Sequence, residues 1–181
     1  LDHTNSASIG TYTGTVFVAN TWYHVACTHD GGTASSGCLV YIDGVLQAHN
    51  ANATGSGFAN INDTAQEFRI GAFADDGESH DGNICQVGFW DAVLTQAQIQ
   101  SIMEKTYDEF TTSEKADLRT YWPLDSSYNI FADGSDTKAR EVVLGYQGTL
   151  IGNTAFDSGT NPYKLGSPPD FGTLYSGRAL E

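Results

Sequence analysis

Four carboxylates crowd into seven residues of this chain: Asp75, Asp76, Glu78 and Asp81, within the run ADDGESHDG. Neighbouring carboxylates repel one another unless water or a cation neutralises them. A hard cation such as calcium takes several carboxylate and carbonyl oxygens from one flexible loop. The spacing is not that of an EF-hand, so two readings stand at this point: a calcium loop, or a solvated acidic turn. Other chemistry is harder to place. His3, His24, His29, His49 and His80 are scattered, with no His-Glu-x-x-His pair and no His/Cys cluster suited to zinc, so they read as core or surface residues. Ser56, Ser135 and Ser167 each follow a glycine, yet none completes the Gly-x-Ser-x-Gly elbow of a serine nucleophile; Ser beside Gly signals a turn. Cys27, Cys38 and Cys85 show no metal-type spacing. Cys27 and Cys38 either face each other across a hairpin or serve as small buried hydrophobes.

The elements that must position these groups are mostly strands. Residues 22–27 and 38–42 are apolar runs separated by the Gly/Ser-rich residues 30–37, a hairpin signature. Asp43 and Gly44, the pair that best tolerates positive φ, then predict a tight turn into a short strand at Val45 and Leu46. Before this hairpin, residues 1–19 alternate weakly through Ile9, Tyr12, Val16 and Val18, suggesting one or two modest strands. After it, residues 47–66 are polar, with Phe58 and Ile61 as their large apolar anchors, and read as a long connection. Residues 68–73 and 84–90 read as strands flanking the acidic loop. Thr95 is an N-cap with Gln98 as its capping-box partner, and Ile99, Ile102 and Met103 form the stripe that docks on a sheet. Residues 113–116 suggest a further helical turn. Beyond Leu118 the apolar runs are short and separated by Gly, Asp, Ser and Pro.

Composition bounds the partners. The 181 residues suffice for one domain with a sizeable core, or for one domain and part of another. With 22 acidic against 8 basic residues the net charge is -14, which argues against nucleic acid and anionic membranes and leaves cations and neutral sugars. No stretch approaches the ~20 apolar residues of a membrane span. Asn52 and Asn62 head formal glycosylation sequons, which matter only on a eukaryotic secretory route.

Three ordered motifs over residues 16–103 carry a family resemblance. A tryptophan opening a His-Val-Ala strand and leading to Tyr-Ile-Asp-Gly, then FRIGAF, then GNICQVGFWDAVLTQAQIQSIM, is similar to laminin-G-like and pentraxin-like domains of the concanavalin A-like lectin/glucanase superfamily. Farther on, YWPLD, GTLIGNTAF and SGRALE resemble the beginning of such a repeat. The chain therefore reads as residues 1–108, the later strands and closing helix of one laminin-G-like sandwich, followed by residues 109–181, the start of a second. Either the chain is part of a tandem-repeat protein, or the C-terminal segment packs back and completes the first sandwich as a circular permutation. The resemblance implies calcium at the loop between these two strands, with Asp75, Asp76 and Glu78 as ligands and Asp81 behind them. Glucanases of this superfamily resemble one another in a Glu-x-Asp-x-x-Glu strand, a spacing this chain lacks; residues 84–90 hold no carboxylate, and Asp91 reads as the end of that strand.

The expectation is an all-β protein, an antiparallel jelly-roll β-sandwich with one short helix near residues 96–106. Its expected role is non-catalytic recognition of carbohydrate or glycoprotein in an extracellular or virion-surface adhesin, without nucleic-acid binding or membrane insertion, beside neighbouring repeats or copies of itself. Phe73 and Asn83 are the expected ligand contacts beside the acidic loop, because an exposed ring next to an amide stacks on a sugar and bonds its hydroxyls. The alternative is a structural assembly domain of a fibre or capsid, without a soluble ligand; a degenerate glycosidase is a third reading.

Overall fold

The computed structural model describes residues 8–54, 58–59, 68–72, 79–124 and 138–149. Every strand pair among them is antiparallel and helices are few and short, so the fold is of the β class expected. Two compact units divide the chain: Leu1–Gln66 with Ala92–Met103, and Glu67–Asp91 with Glu104–Glu181.

The first unit contains β1 (Ser8–Thr13), β2 (Val25–His29), β3 (Cys38–Ile42), β4 (Val45–Leu46), β5 (His49–Thr54) and the helix α1 (Gln96–Ile102). Strands β2, β3 and β4 form the sheet that the hairpin signature predicts. Asp43 and Gly44 both take positive φ, 50° and 69°, which turns β3 straight into β4. Asp43 also closes the mouth of the hairpin, its N–H donating to the His24 carbonyl while its carboxylate accepts from the His24 N–H, each at 2.8 Å. The carbonyl of Gly44 then accepts from Gln96 Nε2 and Gln100 Nε2, both at 3.0 Å, which ties α1 to the turn. Thr95 and Gln98 form the anticipated capping box, and Ile99 and Ile102 of the helix are buried, as are Tyr41 and Ile42 of β3.

Several expectations are corrected here. Residues 47–66 are not simply a connection: β5 pairs along its whole length with β1, from Ser8↔Thr54 to Thr13↔His49. A backbone ladder needs no apolar side chains, and HNANAT offers no pattern to read. Cys27 stands opposite Val40 and Cys38 opposite His29, so the two cysteines are diagonal, about 7–8 Å apart, beyond normal disulfide reach. Cys27, Cys38 and Cys85 are all free thiols. The helix near 96–106 ends sooner, at Ile102. Thr106 caps a separate 3-10 turn, Tyr107–Glu109, by binding Glu109, and Thr111 caps a second helix, α2 (Thr112–Lys115), through Glu114.

The second unit contains β6 (Val87–Trp90), α2, β7 (Leu118–Trp122), β8 (Lys138–Arg140) and β9 (Gln147–Thr149). β6 is shorter than the strand expected at 84–90, because Gln86 takes φ 55° and turns its N–H to the Pro123 carbonyl at 3.0 Å. β6 pairs with β7, Val87↔Trp122 through Trp90↔Leu118. The strand carrying the YWP motif thus lies beside the strand carrying VGFW. Gly88 leaves room between them for the rings of Trp90 and Tyr121; a Cβ there would stand 2.6 Å from one and 2.9 Å from the other. Ile70, Trp122 and Ala139 make the core, flanked by Ile84, Val87 and Leu124. Glu141 is fully buried between β8 and β9, and four backbone N–H groups meet its carboxylate: Tyr121 and Val143 at 2.8 Å, Leu144 at 2.5 Å and Gly145 at 2.9 Å.

Candidate functional site

The acidic loop rests on a short antiparallel ladder. Ala72 bridges Ser79, and the His80 N–H donates to the Gly71 carbonyl at 2.7 Å. Two residues before Ala72, Ile70 is buried in the core of the second unit, so the ladder is anchored at its base. Ile70, Ala72, Ser79 and Asp81 occupy the bridged positions of that ladder. Asp81 is exposed at the foot of the returning arm, and Asn83 is half-buried two residues on. The His80 imidazole folds over Gly82, with Nε2 2.7 Å from where a Cβ would stand. Phe73, Asp75, Asp76 and Glu78 lie outside the described residues. Among the described residues no three His, Cys, Asp or Glu side chains are grouped to hold a metal. The sequence-predicted site is therefore described at its two feet only, Asp81 and Asn83.

The aromatic side chains sort into two populations. Tyr41, Tyr121 and Trp122 are buried, as their strand positions predict. Tyr107, Phe110, Tyr121 and Trp90 form a chain of ring contacts at 5.4–6.2 Å, with the Lys115 ammonium 4.3 Å above Tyr107. Against these stand rings that remain in solvent. Phe68 and Phe89 are 51% and 44% exposed and meet edge to face at 5.0 Å. Tyr12 is 57% exposed. Phe68 lies two residues before Ile70, on the segment that leads into the ladder, and Phe89 lies in β6, so this exposed pair joins that segment to β6.

Several carboxylates among the described residues are tied to structural tasks. The Asp91 N–H donates to the Asp117 carbonyl at 2.7 Å, and the Asp91 carboxylate accepts from Arg119. Glu114 divides its oxygens between Lys105, at 2.6 Å, and the Thr111 cap. The cap bonds from Thr106 lower the Glu109 pKa. For Glu141 burial raises the pKa, but the backbone N–H groups of Tyr121, Leu144 and Val143 outweigh it and the carboxyl stays ionised below the usual range. Burial lowers the His24 pKa, with Asp43 opposing, so that imidazole favours its neutral form. Sequence reasoning passed over Glu141 because it precedes an apolar run, residues 142–146, which draws the eye to packing. It also passed over Tyr12, whose neighbours across β5 cannot be named until the register is known.

Comparison with known proteins places the chain. A laminin G family model, described as the concanavalin A-like lectin/glucanases superfamily, matches residues 1–100. No curated protein and no solved structure matches it.

Proposed function

We propose that this chain, which belongs to the concanavalin A-like lectin/glucanase superfamily, works as a non-catalytic recognition module that binds carbohydrate at the cell or particle exterior. The observation that carries the reading is the exposed aromatic pair Phe68 and Phe89, edge to face in solvent, with Phe68 on the segment that leads into the ladder below the acidic residues. Rings of this kind give a sugar a flat apolar partner, and the amide of Asn83 and the loop carboxylates supply polar ones. Phe73 stands at the entry to that loop in sequence and is assigned the same role. The donor set fits calcium: Asp75, Asp76, Glu78 and Asp81 offer hard oxygens, four within seven residues, and calcium takes six to eight oxygen ligands at flexible loops. When bound, calcium would neutralise the loop and hold it for a hydroxylated ligand. No helix among the described residues is long and apolar enough to cross a membrane.

Two measurements test this. An array of neutral and acidic glycans, probed with the full chain in calcium and again in EDTA, should show binding to neutral sugars. Silence in both conditions overturns carbohydrate recognition. A thermal melt with about 1 mM calcium should rise by several degrees in the native chain, because a ligand bound to the folded state alone stabilises it by mass action. It should not rise in the Asp75→Asn, Asp76→Asn double variant. A native melt indifferent to calcium removes the ion from the proposal and leaves a solvated acidic turn.

One observation favours a second reading, a structural assembly domain. In the first unit Val16, Phe17 and Val18 are 83%, 50% and 63% exposed, and Val25 and Val45 are more than half exposed. A concentration-dependent oligomer in size exclusion, together with a silent array, would move the assignment to that class.

A further inference from the structure

A second face of the molecule has the chemistry of a sugar platform, and we infer that the ribbon of β1 and β5 binds a neutral hexopyranose on Tyr12, Asn50 and Asn52. The inference rests on the carbohydrate-recognition reading and names a different site for it, in the first unit. In the antiparallel register Tyr12 is opposite Asn50 and Gly10 is opposite Asn52. Directly opposed residues share a face, and so do residues two apart on one strand. Tyr12, Gly10, Asn50 and Asn52 therefore stand together on one side of the ribbon. Tyr12 is 57% exposed, and both asparagines are exposed.

Gly10 makes this face a cradle. It has ordinary backbone geometry, with nothing within 4 Å of the point where a Cβ would stand, so the glycine answers no conformational need. What it leaves is an open space beside the Tyr12 ring and across from the Asn52 amide. Along the strand Gly10 and Tyr12 are about 7 Å apart, a span that one pyranose ring bridges. The C–H face of the sugar then lies on the negative face of the tyrosine ring. Each asparagine amide offers two donors and an acceptor to adjacent hydroxyls, the pairing a vicinal diol asks for. No hydrogen bond within the described residues engages either amide or the Tyr12 hydroxyl.

Charge selects the ligand. In a chain of net charge -14, the strands SIGTYT and HNANAT contain no Asp, Glu, Lys or Arg. A sialylated or sulfated sugar finds no cation there and is repelled by the rest of the surface, so the ligand is neutral and its binding needs no calcium.

The test uses the full chain made in bacteria, where the Asn52 sequon stays unmodified, against polyacrylamide carrying galactose, glucose or N-acetylglucosamine. Three proteins are compared in EDTA: native, Tyr12→Ala, and Gly10→Val. The valine fills the cradle while favouring the strand, so its melting temperature should equal or exceed the native value. Binding by the native chain, weakened about tenfold or more in both variants, is the expected result. Native binding that Gly10→Val leaves unchanged at full stability overturns this site while sparing the carbohydrate reading. Native binding that needs calcium places recognition at the acidic loop and overturns it too. Silence of the native chain towards all three sugars in EDTA rejects the platform; silence on the full glycan array rejects the carbohydrate reading as well.

Discussion

Glu141 shows how a charge survives inside a small β-rich unit. Its carboxylate is fully buried, and four amides at 2.5–2.9 Å stabilise its charge. One of those amides belongs to β7 and three to the turn before β9, so the side chain fastens the turn to the strand. Glu141→Gln would set an amide NH2 against N–H donors, and we expect a loss of about 2 kcal/mol in urea unfolding. The pH dependence follows from the direction of the shift. A carboxyl held below its ordinary value contributes stability that is fully present above about pH 4.3 and is lost as pH falls through the lowered folded value. The Glu141→Gln variant should lack that part of the acid transition; identical acid slopes in native and variant melts would contradict the account. Nothing in the sequence marks this residue, since its partners are backbone groups brought together only by folding.

Among the elements, the turn at Asp43 and Gly44 does most to organise the first unit. The same two residues reverse the chain, close the β2–β3 hairpin through His24 and present the carbonyl that Gln96 and Gln100 bind. A Cβ on Gly44 would be strained at φ 69° and would stand 2.6 Å from Gln100 Cγ and 3.0 Å from Met103 Sδ. Gly44→Ala should therefore cost about 2 kcal/mol or more and loosen α1, read as faster amide exchange at residues 99–103. Exchange in α1 equal to the native rate would refute the coupling. The turn and the Thr95 cap were legible because Asp-Gly and Thr-x-x-Gln act locally, within a few residues. β5 and the early end of β6 were not. The first is made by pairing with a strand some forty residues away, and the second by Gln86 adopting a left-handed backbone to reach Pro123.

For the whole molecule, excess negative charge is the leading variable. A net charge of -14 on 181 residues repels itself in the compact state. Raising sodium chloride from about 0.01 M to about 1 M shortens the screening length from about 30 Å to about 3 Å, so the melting temperature should climb; a flat or falling melt would show that the acidic residues are already neutralised pairwise. The pairing of β6 with β7 bears on how the chain is assembled. The two strands carry motifs that resemble the end and the beginning of a repeat, and they lie side by side. The segment that opens the second repeat thus returns, through β7, to the strand that ends the first. The amino-acid sequence by itself determined the β class, the family, the central hairpin, the helix start and the negative charge, because local turn chemistry, alternation and charge are properties of short stretches or of the total. Only the tertiary structure decided which strands pair, that the cysteines miss one another, that Glu141 is a buried lock, and that Tyr12 faces two asparagines across a glycine, because each of these depends on register, and register brings together residues that the chain keeps far apart.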